Sequence, residues 1–89
     1  MDMFIHYKEL PAGMTLDEVV EGLNSAMEDG GCVNGGEITD RGGRIDIELE
    51  EEKFNPKLAQ CAVKSFIMRA GFPRDTVIEL GGMNINAYD

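Results

Sequence analysis

Few residues in this sequence have chemistry to offer. His6 is the one histidine. A strand pairing that set it beside Asp46 or Glu48 would create either an acid–base pair or the beginning of a metal site. With no second soft ligand nearby, the sequence favours a solvated histidine among salt-bridge partners. Cys32 and Cys61 lack the spacing of a redox or metal motif and predict free thiols in a reducing compartment. Ser25 and Ser65 are the only serines and fall within predicted helices, so no serine, histidine and carboxylate trio can be assembled.

Glycine doublets stand at Gly30-Gly31, Gly35-Gly36, Gly42-Gly43 and Gly81-Gly82. A glycine loop cradles phosphate when its backbone N–H groups converge at a helix N-terminus. None of the four doublets runs into a helix in that way, and none has dinucleotide or P-loop spacing. They read as turn and bulge glycines. No enzymatic activity, cofactor or metal is expected.

The feature with direction in it is charge. Seventeen acids against eight bases give a net charge of −9, which repels phosphate backbones and anionic lipid surfaces and points away from nucleic acid and membranes. Asp17, Glu18, Glu21, Glu28 and Asp29 follow one another along the first helix and its end without a base, and Glu48, Glu50, Glu51 and Glu52 close the central strand. Lys57, Lys64 and Arg69 lie on the second helix. A surface divided in this way steers a basic protein onto its acidic side. The candidate partner-binding residues are Asp17, Glu18, Glu21, Glu28, Asp29, Glu48 and Glu50, with Phe4 as an exposed aromatic on the sheet.

The elements that must position these groups follow from periodicity. Ile45, Ile47 and Leu49 alternate with charged residues, the mark of a strand with one face in a core. Met3, Ile5 and Tyr7 do the same in a first strand running to Leu10-Pro11, with Phe4, His6 and Lys8 on the other face. Thr15-Leu16-Asp17-Glu18 is a capping box, flanked by Met14 and Val19 at hydrophobic-staple positions. The helix it opens gathers Leu16, Val19, Val20, Leu23, Ala26 and Met27 into one stripe and stops at Gly30-Gly31. A short second strand is expected near Glu37 to Asp40, joined through Arg41-Gly42-Gly43 to the central one.

Asn55-Pro56 caps and starts a second helix. Its apolar arc is Leu58, Ala59, Ala62, Val63, Phe66, Ile67 and Ala70, and it ends at Ala70-Gly71-Phe72-Pro73 with Phe72 folding back on Ile67. From Thr76 to Ala87 the chain is broken by Gly81-Gly82. A hairpin there would set Leu80 opposite Met83 and Ile78 opposite Ile85, and a bulged single strand would also align them.

At 89 residues the chain has room for one domain with one small core, spanning 1–89. The order strand, helix, strand, strand, helix, strand, with an extra C-terminal strand if the hairpin forms, resembles the ferredoxin-like α+β sandwich: an antiparallel sheet with both helices on one face. That architecture hosts many functions. No run is long and apolar enough for a transmembrane helix, and the N-terminus lacks the basic and long apolar regions of a secretory signal, so the expected location is the cytoplasm.

Two functions are consistent with these residues. One is a non-enzymatic protein-binding module of the immunity, antitoxin, inhibitor or adaptor kind, using its acidic surface on a basic partner. The other is a regulatory small-ligand module that pairs with a second copy of itself, as ACT-like domains do, although the glycine-loop pattern of such domains is not evident here. RNA binding on the sheet face is not expected, since that face has Phe4 as its one aromatic and several carboxylates.

Overall fold

The computed structural model describes residues 1–50 and 55–88, apart from the side chains of Asp29 and Pro56. Glu51 and Glu52, counted above with the acidic surface, lie outside the described residues, as does the side chain of Asp29. The chain is α+β. Five strands, β1 (Asp2–Tyr7), β2 (Gly31–Thr39), β3 (Gly42–Leu49), β4 (Val77–Leu80) and β5 (Met83–Asn86), form one antiparallel sheet in the order β2-β3-β1-β4-β5. Two helices, α1 (Leu16–Met27) and α2 (Pro56–Ala70), complete the fold.

The alternation in β1 and β3 decides the core. Ile5 faces Ile45 on one side and Ile78 on the other, and Met3 faces Ile47 and Leu80. These side chains share one buried cluster with Val19, Leu23 and Met27 of α1 and Ala59, Val63 and Ile67 of α2. Both helices therefore cover the same face of the sheet, and the other face carries the polar positions of each strand.

α1 begins as its capping box requires. The Glu18 N–H donates to the Thr15 hydroxyl at 3.2 Å, and the Thr15 N–H donates to the Glu18 carboxylate at 3.0 Å. Loss of such a cap costs about 1 kcal/mol. The helix gives way to a single 3-10 turn at Glu28–Gly30. α2 starts with the Lys57 N–H donating to the Asn55 side chain at 2.8 Å, and it ends at Gly71, whose φ of 91° is left-handed. The Phe72 N–H then donates to the Ile67 carbonyl at 3.2 Å, and Phe72 is buried in the core.

Three expectations need correction. β2 has nine residues and starts at Gly31, well before Glu37. Val33 packs on the core from it, and a bulge between Val33 and Gly35 leaves Asn34 unpaired and restores the register. The Gly35-Gly36 doublet is thus strand. The hairpin loop is Asp40-Arg41, and Gly42-Gly43 opens β3 because β1 comes too close for a side chain: a β-carbon on Gly42 would stand 2.0 Å from the Tyr7 carbonyl oxygen. Leu58, assigned to the apolar arc of α2, is 63% exposed. It shares an exposed flank of α2 with Cys61 and Ser65, whereas its neighbour Ala59 is fully buried. The C-terminal pair is a hairpin, with Gly81 and Gly82 both at positive φ and Ile78 opposite Ile85.

Candidate functional site

The open face of the sheet is where the polar positions converge. On β1, Phe4 lies between Asp46 of β3 and Glu79 of β4, His6 lies between Arg44 and Val77, and Asp2 lies opposite Glu48. Glu37 of β2 flanks Arg44. The face is divided along the strands, with an acidic end at Asp2 and Glu48 and a donor-rich end at His6 and Arg44.

Arg44 ties this face together. Its Nε donates to Asp46 Oδ1 at 2.6 Å and its Nη2 to Asp46 Oδ2 at 3.3 Å, the two-point geometry in which a planar guanidinium binds a carboxylate. The hydrogen bond to Asp46 and that residue's charge hold the guanidinium above its already high ordinary pKa, so it stays charged. Nη1 stands 3.9 Å from Glu37, a loose contact, and the guanidinium carbon lies 5.7 Å above the Phe4 ring. Phe4 is accordingly half-buried beneath Arg44, where an exposed ring was expected.

His6 does not pair with Asp46 or Glu48. Its Nε2 lies 3.0 Å from Glu79 Oε1, because side chains at a given level of β1 are approached from β4 as well as β3. Arg44, the β3 residue opposite His6, offers it no carboxylate. Lys8, just past β1, pairs with Asp75 at 3.2 Å. Among the described residues no three of His, Cys, Asp and Glu are grouped closely enough to hold a metal ion. Cys32 and Cys61 are free and exposed.

At the donor-rich end the surface sinks into a cleft of about 290 Å³, lined by His6, Tyr7, Glu37, Arg41, Gly43 and Arg44 among others. Tyr7 belongs to the core face and is only 7% exposed, yet its hydroxyl reaches the cleft over Gly43, where a β-carbon would come within 2.5 Å of it. The hydroxyl has no hydrogen-bond partner among the described residues and keeps contact with solvent. Burial pushes the Tyr7 pKa up, which keeps the phenol protonated and a donor.

No family model matches the chain, and no curated protein or solved structure matches it either.

A second surface holds most of the predicted carboxylates. Asp17, Glu18 and Glu21 on α1 and Glu28 in the 3-10 turn are exposed, as are Glu48 on β3 and Glu50 just after it. Glu18 is engaged in the helix cap, while Asp17, Glu21 and Glu28 form no ion pair among the described residues. α1 lies along β2, and the Asn24 side chain accepts the Val33 N–H at 2.9 Å. Beyond the bulge, Gly35 to Thr39 are exposed on a strand paired only with β3. Glu48 lies on the open face of the sheet, whereas the Glu50 N–H donates to the Gly30 carbonyl at 2.8 Å, which puts Glu50 beside the 3-10 turn that carries Glu28.

Sequence reading missed Glu79, Arg41 and Tyr7 as site residues. Glu79 was absent from the open-face grouping because only the pairing of β1 with β4 brings it near His6. Tyr7 was read correctly as a core residue, and the signal that its hydroxyl would emerge is the glycine opposite it.

Proposed function

We propose that the protein is a non-enzymatic binding module of the inhibitor, immunity or adaptor kind that docks a basic protein along α1 and the open edge of β2. The observation that carries this reading is the set Asp17, Glu21 and Glu28, exposed and without ion pairs among the described residues, beside the Gly35 to Thr39 edge of β2, which no other described strand but β3 pairs. Unpaired carboxylates draw in a basic partner, and the edge supplies main-chain hydrogen bonds to an added strand. Within the α+β class, β1 lying between β3 and β4 supports the ferredoxin-like reading, with β5 as the added strand.

The test compares wild type with the triple variant Asp17→Asn, Glu21→Gln, Glu28→Gln as bait in lysate of the source cells, read by native mass spectrometry. A complex held by wild type, weakened by salt and lost in the variant is the expected result. A partner retained equally by both removes the basis of this reading.

The cleft favours a second reading, a regulatory module that binds a small ligand as a homodimer. A doubled mass in the same spectra, with the added mass of a small molecule, would move the conclusion to it.

A further inference from the structure

We propose that the cleft at the β2–β3 hairpin is a binding site for a small oxyanion, a carboxylate or a phosphate monoester, held by Arg41, Arg44 and the Tyr7 hydroxyl. This goes beyond the docking reading and does not depend on it.

Three independent features converge there. Arg41, in the two-residue loop, lines the cleft and has no ion-pair partner among the described residues. Arg44 gives Nε and Nη2 to Asp46, and its Nη1 keeps only the 3.9 Å contact with Glu37, which an incoming oxygen can replace at hydrogen-bonding distance. The third feature is Tyr7, a residue only 7% exposed whose hydroxyl has no hydrogen-bond partner among the described residues and lies at the cleft wall. Among the described residues no side-chain polar atom is both buried and unpartnered, so this hydroxyl keeps contact with solvent in the cleft, and an oxyanion there can take the place of that solvent. Two guanidinium groups and one hydroxyl are all donors, and the ligand that satisfies them together is an oxyanion.

The volume, about 290 Å³, lies at the small end of ligand sites and suits a compact molecule. The net charge of −9 opposes an anion at long range, but physiological salt screens exposed charges beyond about 8 Å, so the groups inside the cleft decide. Asp46 already binds Arg44 and Glu79 already binds His6, and Glu37 lines the cleft itself. Its carboxylate occupies the place beside Arg44 Nη1 that the ligand would take, and so competes with the ligand.

The experiment is a titration of the isotope-labelled full chain with sodium phosphate, sodium acetate and sodium chloride at matched ionic strength, followed by backbone amide shifts. Saturable shifts at Tyr7, Arg41 and Gly43 with phosphate or acetate, and none with chloride, are expected. Response to phosphate alone assigns a phosphate monoester, response to acetate alone a carboxylate, and response to both the shared oxyanion chemistry. Arg41→Gln, an exposed loop change, should weaken binding about tenfold, the loss of one charge-assisted hydrogen bond. Tyr7→Phe should weaken it several-fold, whereas Glu37→Gln should tighten it. Shifts that never saturate, shifts that chloride reproduces, undiminished affinity in Arg41→Gln, or weaker binding in Glu37→Gln would each overturn the proposal.

Discussion

The ring of Phe66 on α2 occupies the space that a side chain at Gly22 of α1 would need: a β-carbon there would stand 2.3 Å from the ring edge. The absence of a side chain on one helix thus lets an aromatic on the other sit at the crossing.

Gly22→Ala is therefore expected to destabilise the protein although alanine is the better helix former. The propensity gain is about 1 kcal/mol, while overpacking costs about 1–3 kcal/mol. Combining it with Phe66→Leu should recover the propensity gain relative to Phe66→Leu alone. Urea unfolding of the four proteins in the cycle decides the matter, and additive effects would show that the two residues do not meet.

Glu28 has a φ of 53° and a ψ of −123°, a conformation that suits glycine and strains a residue with a β-carbon. Such strain costs about 1–3 kcal/mol, so Glu28→Gly should raise the unfolding midpoint in spite of glycine's entropy. A Glu28→Ala control separates strain from charge, because alanine removes the carboxylate and keeps the β-carbon. A gain shared equally by both variants would point to charge.

Tyr7 makes stability sensitive to alkali. Burial raises its folded pKa above the ordinary value of 10.0, so the buried phenol favours folding fully below the unfolded pKa. That contribution is lost as pH rises from about 10 through the folded value. Denaturant midpoints measured from pH 8 upward should fall more steeply in wild type than in Tyr7→Phe. Parallel curves would mean that the hydroxyl is as well solvated in the folded state as in the unfolded one.

Asp2 and Glu48 face each other across β1 and β3, an arrangement that opposes pairing. Glu48→Lys replaces repulsion by attraction and should add about 0.5 kcal/mol. The gain should shrink in high salt, and a salt-independent gain would assign it to strand propensity.

How far the sequence could be read depended on whether a signal was local. The Thr15–Glu18 box, the Asn55-Pro56 start, the Gly71 stop and the Gly81-Gly82 turn each lie within a few residues, and each formed where its pattern stood. β2 was underestimated because six glycines from Gly30 to Gly43 hide the alternation, and its length is set by pairing with β3. The His6–Glu79 contact spans 73 positions and follows from strand order, which periodicity does not encode. The charge of α1 was legible, but its juxtaposition with the β2 edge came only with the fold.

The bulge at Asn34 gives the sheet unequal ends. At one margin β5 is four residues long, a length that offers little to an added strand. At the other, α1 already engages the Val33 N–H through Asn24, and the irregularity at Asn34 separates that anchored half from the stretch Gly35 to Thr39. Among the described residues the longer open edge is therefore Gly35 to Thr39, where a strand that joined would take its starting register from the kink.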